Sequence, residues 1–408
     1  MGTDTSAKSG SSKSAYEKIA AYLSLNYAWR TLYKRAKPAW RQTRGTDGVC
    51  LNDFAVEYQA SLRNLSRLLT SGEFNFKSLR PHLIPKPNGK DRLICVPTVR
   101  DRIVQRAVLE FLTRKYLPRI SNAISYGFVK KRTVQDAAKR ACEHREQLPW
   151  VFKTDITSFF DRINRDVLMQ ATARIVRERS LHSILRCAAN CEIEVLSSSA
   201  GKRIARLGIK NGLGVRQGMP LSPFFANMVL DSFDRSVIAS GYAAVRYADD
   251  LIFFASDNDT CHRIHEFCRG ELASLGHDIP EIGPDSKSVI YAPGEPAEFL
   301  GVGLCLENER YVSKLMPEQI EKIRNELLQL GSIPELLARN IKLAGLAAQI
   351  ENSYHGYLNS YEACSNLAEL QNALTEISQK TLRNLYGNGL GIDLHKISAQ
   401  VRTFLGLH

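Results

Sequence analysis

The sequence predicts an α+β fold, and three observations predict it. Residues 150–313 alternate short apolar strands with helical stretches. A basic region of helices and one hairpin precedes them, and from Pro317 onward the apolar spacing is helical throughout. Three blocks of this kind describe a mixed body flanked by two lobes. The expected division is a leader over 1–13, an N-terminal block over 14–149, the body over 150–313 and a helical block over 314–408.

Taken in order, Tyr16 to about Leu69 repeats apolar residues at helical spacing (Ile19, Tyr22, Leu23, then Leu62, Leu65, Leu68, Leu69), interrupted by Gly45-Thr46-Asp47-Gly48. Residues 82–97 predict strand, turn and strand, with Asn88-Gly89 as the turn. Helices are predicted over Val99–Leu117 and Val134–Arg145, a strand over Trp150–Ile156 and a helix over Phe159–Ile175. Alternation and glycines over 192–215 predict a hairpin, and Pro220–Ile238 an apolar helix. Ala244–Ala255 is apolar on both sides of Tyr247-Ala248-Asp249-Asp250, a second hairpin with those residues at its turn. A helix over Cys261–Leu275 follows, then strands near Ser288–Ala292, Glu298–Leu306 and Arg310–Ser313. The C-terminal helices should break near Gly331, Gly356 and Gly387–Gly391.

The 408 residues carry 55 Lys+Arg against 42 Asp+Glu, a net charge of +13. Hydrophobic residues make up 44% and charged residues 24%, which excludes wholesale disorder. No apolar run approaches the roughly 18 residues of a membrane span, so no membrane-spanning segment is expected. The N-terminus is polar with no apolar core segment; it matches a loose myristoylation pattern (Gly2, Ser6) but reads as a disordered leader. Nine scattered cysteines without a CxxC pair point to a reducing, cytoplasmic setting and away from zinc ribbons. Cys261, His265 and Cys268, with His262 beside them, share a helix; three ligands on one helix make a poor tetrahedral site, so a buried helix face is expected.

The charge is uneven. Residues 1–150 hold 28 Lys+Arg and 12 Asp+Glu, a net +16, whereas the remainder is net −3. A polyanion gripped by the N-terminal part follows, and charge alone does not separate nucleic acid from an anionic membrane surface. Arg30, Lys34, Arg35, Lys37, Arg41 and Arg44 are interleaved with Trp29, Tyr33 and Trp40, a pattern suited to phosphate contact and base stacking.

Three carboxylates stand out by context. Asp155 ends the extended run Val151-Phe152-Lys153-Thr154, and Asp249-Asp250 interrupts an apolar stretch. Adjacent carboxylates there repel and are costly to desolvate, a cost that a divalent cation removes. Taken on its own, the dipeptide is better explained as a polar β-turn.

From about Ala28 to Leu306 the chain resembles the reverse transcriptases of prokaryotic retroelements: group II introns, retrons and their defence-associated relatives. The resemblance rests on seven segments in the family's order: LIPKPNGKDRLICVPTVRDRIVQRAV, SYGFVKKRTVQDA, FKTDITSFFDRI, QGMPLSPFFANMVL, RYADDLIFF, LGHDIPEIGPDSKS and EFLGVGL. It implies a right-hand polymerase with fingers, an RRM-like palm built on an antiparallel sheet, and a helical thumb. It implies RNA-directed DNA synthesis from dNTPs, with an RNA template (a dedicated noncoding RNA) and a DNA product as partners, and antiphage defence as the favoured role. It leaves the oligomeric state open.

The resemblance also implies residue roles. Asp155, Asp249 and Asp250 would hold two Mg²⁺ ions, which Mn²⁺ could replace, with the Ile156 carbonyl helping. Phe160 would exclude a 2′-OH. Lys86 and Arg92 would bind the triphosphate, beside Gln217 and Gly218. Lys287 would be a proton donor to pyrophosphate. Tyr247, Phe299, Leu300 and Gly301 would hold the primer. Lys130, Lys131 and Arg132 stand where the family has R-x-G-R-S, with Lys131 in the glycine's place, which puts the turn geometry in question.

Rival readings use the same residues. Template-independent or protein-primed DNA synthesis would employ the same three Asp. An RNA polymerase is disfavoured by Phe160 and Tyr247-Ala248, and a dormant RNA-binding maturase or scaffold by the intact motifs.

Overall fold

The computed structural model describes residues 13–85, 91–194, 198–339 and 341–407. The expected turn Asn88-Gly89, Lys86 and all but the last residue of the leader lie outside them. The helices are α1 (Ala15–Ala20), α2 (Tyr22–Arg35), α3 (Leu51–Val56), α4 (Tyr58–Thr70), α5 (Val99–Ile120), α6 (Val134–Gln147), α7 (Phe159–Arg162), α8 (Arg165–Ile175), α9 (His182–Ala189), α10 (Ser198–Arg206), α11 (Ser222–Ala239), α12 (Asn258–Ser274), α13 (Pro317–Leu328), α14 (Ile333–Ala338), α15 (Leu343–Ser360), α16 (Leu367–Arg383) and α17 (Ala399–Phe404). The strands are β1 (Arg80–Pro85), β2 (Asp91–Val96), β3 (Trp150–Asp155), β4 (Ala243–Tyr247), β5 (Asp250–Ala255), β6 (Val289–Tyr291), β7 (Ala297–Phe299), β8 (Val302–Glu307) and β9 (Arg310–Lys314). Helices and antiparallel pairs together make the α+β class expected from the sequence.

The chain divides into two compact units that interleave along the sequence. One comprises residues 1–130, 155–241 and 266–280, the other 131–154, 242–265 and 281–408.

The first unit is mostly helical. Its core is built on α5, whose Ile103, Val104, Ala107, Val108 and Leu112 are buried, and on α11, apolar nearly all round (Phe224, Phe225, Met228, Val229, Phe233). A helix of that kind must be enclosed, and α5 and α8 pack against it. Its buried polar groups are satisfied: Asn227 donates to the Gly127 carbonyl at 3.0 Å, and Asp234 accepts from Asn122 at 2.7 Å. The β1–β2 hairpin runs in register from Arg80↔Val96 to Pro85↔Asp91.

Among the described residues of 192–215 the expected hairpin is absent. Residue Ile193 makes one parallel bridge to Leu79, α10 follows, and Gly208, Gly212 and Gly214 each take a left-handed φ in separate turns. The glycines mark reversals of a loop, and Ser198–Arg206 has the apolar-basic spacing of a short helix.

The second unit holds two antiparallel sheets, of order β4-β5-β3-β6 and β7-β8-β9. Expected as one strand, Glu298–Leu306 is broken at Leu300-Gly301, where both φ angles are positive (53° and 83°) and the chain reverses. Helix α6 starts on a reciprocal cap: the Thr133 hydroxyl accepts from Asp136 N at 3.0 Å, and the Asp136 carboxylate accepts from Thr133 N at 2.8 Å. The C-terminal helices enclose an apolar cluster of Ile323, Leu327, Leu346, Leu370, Leu374 and Ile377. The break expected at Gly356 falls instead at Tyr361–Asn366, because Gly356 sits inside α15 where a Cβ would meet open space. Cys261, His265 and Cys268 are buried, with His265 edge-on to Phe152 at 5.5 Å.

One buried histidine in the first unit makes stability pH-dependent. His277 is 2% exposed, neither ring nitrogen has a partner among the described residues, and it packs on Phe159 at 4.8 Å. Burial, reinforced by Arg162, pushes its pKa down to about 4. Above pH 6.5 the ring is neutral folded or unfolded. Below it, only the unfolded chain takes up the proton, so stability is lost between pH 6.5 and about 4. The expected loss is about 2 kcal/mol by pH 5, from about 1.4 kcal/mol per pH unit. Urea denaturation at pH 7 and pH 5 should show it, and His277→Leu should remove that share of the slope.

Candidate active site

The Asp-Asp hairpin is built in the second unit. Strands β4 and β5 pair from Ala243↔Phe254 to Tyr247↔Asp250, so the turn is the two residues Ala248-Asp249 and Asp250 opens β5. Leu251–Ala255 is buried throughout, which explains the unbroken apolar run. Ala248 has φ +59°, as the first turn residue of a tight hairpin requires. That conformation costs an L-residue about 1–2 kcal/mol. Arg246, 1% exposed, holds the turn by donating from Nη1 to the Ala248 carbonyl at 3.0 Å. Asp249 and Asp250 are half-buried.

Strand β3 lies beside β5 in the sheet order, and Phe152 stacks on Phe253 at 6.0 Å. Its last residue is Asp155, also half-buried. On the other side β3 pairs with β6 (Lys153↔Val289), and the buried Thr154 and Ser288 hydroxyls share a hydrogen bond of 2.7 Å. Lys287, exposed, is one residue before Ser288. In the separate three-stranded sheet, Phe299 is fully buried, so its ring anchors the β7–β8 hairpin; Leu300 and Gly301 form the turn.

Of the remaining residues named from the sequence, Ile156, Phe160, Gln217 and Gly218 lie in the first unit. Ile156 is 1% exposed. Phe160 is half-buried, and its carbonyl accepts from Val215 N at 2.8 Å. Gln217 and Gly218 meet the β1–β2 hairpin: Cys95 N donates to the Gln217 carbonyl at 2.7 Å, and a Cβ on Gly218 (φ +104°) would stand 2.4 Å from the Cys95 carbonyl. The close neighbour that Gly218 admits is strand β2. Gly218→Ala must therefore push the loop and strand apart. The expected result is a loss of about 1–3 kcal/mol of stability, read as a lower urea midpoint, and a variant with the parental midpoint would contradict it.

On this hairpin, side chains alternate. Arg80, His82, Ile84 and Ile94, with Trp40 and Arg44, line a cavity of about 690 Å³. Arg92, exposed, pairs with Ile84 in the register. Trp40 is 59% exposed and stacks under Lys37 at 5.3 Å, so its ring face is near the surface. Trp29 is not available for stacking, because it is buried against Phe54 and Tyr33. Arg30, Lys34, Arg35 and Arg44 are exposed, while Arg41 lies over the Tyr33 ring at 4.3 Å. Sequence reasoning missed Arg80, His82, Ile84 and Ile94; the period-two pattern of HLI and LIC was the available signal.

Lys130 and Lys131 are exposed and Arg132 half-buried. Lys131 has φ +67°. The turn expected of a glycine is kept by a lysine, at a cost of about 1 kcal/mol.

The donor set for a cation is carboxylate oxygen, which suits hard ions such as Mg²⁺. Among the described residues no group of three or more His, Cys, Asp or Glu side chains is gathered into a metal cage. No helix among the described residues is long and apolar enough to cross a membrane.

The candidate site is thus a carboxylate-tipped hairpin in an antiparallel sheet, with a second carboxylate ending the neighbouring strand. Residues 84–304 match the family "Reverse transcriptase (RNA-dependent DNA polymerase)", and the chain belongs to it. It is 31% identical over 200 residues to Protein YkfC of Escherichia coli (strain K12), covering 47% of this chain and 49% of that one. It is 28% identical over 280 residues to the Retron Mx65 reverse transcriptase of Myxococcus xanthus, covering 66% of this chain and 60% of that one. A telomerase structure from Candida albicans aligns over 83% of this chain and 69% of its own at 12% identity, with a TM-score of 0.44. The chain thus spans about half to three-fifths of the length of these curated relatives.

Proposed function

We propose that the chain is an RNA-directed DNA polymerase. The observation that carries this is the β4–β5 turn bearing Asp249 and Asp250 in a sheet whose next strand ends at Asp155. In this reading β1–β2 belongs to the fingers, the four-stranded sheet to the palm and α13–α16 to the thumb. Asp155 and Asp249 hold the divalent ions, assisted by Asp250 and the Ile156 carbonyl. When bound, two Mg²⁺ neutralise charge on the attacking 3′-oxygen and the leaving pyrophosphate.

The protein's own groups do the rest. Arg92 and Lys86 grip the triphosphate, Gln217 and Gly218 seat the base, and Phe160 blocks a ribose 2′-OH. Lys287 delivers a proton to pyrophosphate, while Tyr247 and the Leu300-Gly301 turn steady the primer. The cavity between Trp40 and β1–β2 takes template RNA, helped by Arg30, Lys34, Arg35, Arg41, Arg44, Lys130, Lys131 and Arg132. Stacking on Trp40 and the basic rim support that assignment. The template is a dedicated noncoding RNA and the setting bacterial antiphage defence, a role supported by family resemblance alone; sequencing nucleic acid that copurifies with the protein tests both.

The polymerase reading is tested by extending a primer on a defined RNA template. The chain should incorporate dNTPs, need the template, and reject rNTPs by at least about 100-fold; Phe160→Ala should cut that discrimination at least tenfold. Incorporation that ignores the template would replace this reading with template-independent synthesis by the same carboxylates.

A further inference from the structure

The loop before Gln217 is held by an ion network that lies outside every motif. The Glu192 carboxylate accepts from Arg165 Nη1 at 2.7 Å, from Arg216 Nη2 at 2.9 Å and from the backbone N–H of Gly212 at 2.8 Å. Arg216 is 1% exposed and also donates to the Lys210 carbonyl at 2.8 Å; Arg165 Nε donates to the Gly214 carbonyl at 3.0 Å. Three points of one loop, at 210, 212 and 214, are therefore gripped by a single carboxylate and its two arginines. Hydrogen bonds from Arg165, Gly212 and Arg216 outweigh burial and keep Glu192 below the usual carboxylate range, so it stays charged.

The backbone at Glu192 has a second attachment. Leu79 N donates to the Glu192 carbonyl at 2.8 Å, and Glu194 N to the Leu79 carbonyl at 2.9 Å. Leu79 immediately precedes β1. The β1–β2 hairpin is thus tied to Glu192 at its base and to Gln217 through Cys95 N. The first tie reaches the 210–216 loop through the Glu192 carboxylate, and the second ends at Gln217, just after that loop.

We infer that Glu192 is a positioning residue: it sets the seat of Gln217-Gly218 against the β1–β2 hairpin and thereby the affinity for the incoming nucleotide. The inference rests on the polymerase reading for its kinetic consequence, but not for its structural one. Glu192 touches no reacting atom; it acts through Arg216 and Gly212. A charged Arg216 with so little exposure has no solvent to turn to if the carboxylate is lost, so the loop itself must move.

Glu192→Gln tests it, since the shape is kept and the charge removed. In hydrogen exchange on the full chain, the amides of Gly212 and Cys95 should both exchange at least tenfold faster, while those in β8 of the second unit stay unchanged. Faster exchange at Gly212 with Cys95 unaltered would show that the loop and hairpin are not coupled. Faster exchange everywhere would reduce Glu192 to a general stability residue, and either result overturns the inference. In single-nucleotide addition, KM for dNTP should rise about tenfold with kcat within threefold; a fall in kcat at unchanged KM counts against it. Should Glu192→Gln fail to fold, the paired change Glu192→Met with Arg216→Met removes both charges together. It should still show the raised KM, and a parental KM would refute the role. A parent chain that adds no nucleotide would defeat the polymerase reading, yet the exchange comparison would still decide the coupling.

Discussion

Asp249→Asn should lower nucleotide incorporation by at least about 1,000-fold and leave the urea midpoint nearly unchanged. Asn has the size of Asp and suits a turn, so the Ala248-Asp249 reversal and the Arg246 contact to Ala248 should persist. What is lost is one negative charge at the proposed cation site. A metal ion supplies several kcal/mol of transition-state stabilisation, and about 4 kcal/mol corresponds to roughly 1,000-fold. Single-turnover extension of a labelled primer measures it. Activity within tenfold of the parent would remove Asp249 from the catalytic set and with it the reading of the hairpin as a metal site.

The second large effect is on stability. Arg145 is fully buried, and its guanidinium donates to five backbone carbonyls. The acceptors are Pro149 (3.2 Å), Leu304 (2.6 Å), Ala292 (2.8 Å), Pro293 (3.5 Å) and Glu295 (2.7 Å). It also lies over the Tyr311 ring at 4.6 Å, so α6, β8, β9 and the 292–295 turn meet on one side chain. Arg145→Ala leaves those carbonyls without donors in a dry place and opens a cavity. The expected cost is about 3–5 kcal/mol, read as a lower urea midpoint at constant slope. A loss under about 1 kcal/mol would mean that water replaces the guanidinium without strain.

The parts of this fold legible in the sequence are those whose cause is local. Asp249-Asp250 stood out because β5 is buried on both faces, so its apolar run left the carboxylates conspicuous. Helix α11 declared itself by being apolar all round. The parts that were not legible depend on partners far away in sequence. Nothing near Gly218 announces that its neighbour is Cys95, and Glu192 and Arg216 look like two ordinary surface charges until the loop brings them to 2.9 Å. Trp29 and Trp40 sit in the same basic segment; only packing shows that the first belongs to the core and the second to the surface. The loop over 192–215 misled because its glycines serve separate left-handed turns, each of which resembles a hairpin signal by itself.

The interleaving of the two units bears on how the chain is made. Strand β3 finds its partner β6 only 138 residues later, at Phe152↔Ile290, and neither unit is a contiguous stretch. At a synthesis rate of about 5–20 residues per second, β3 waits on the order of 10 s on the ribosome for the strand that completes its sheet. During that interval it is an apolar strand with an open edge, the kind of segment that aggregates or recruits a chaperone. A message that ends before codon 291 therefore still encodes every segment of the first unit, but leaves the second without the end of β6, all of β7–β9 and its C-terminal helices.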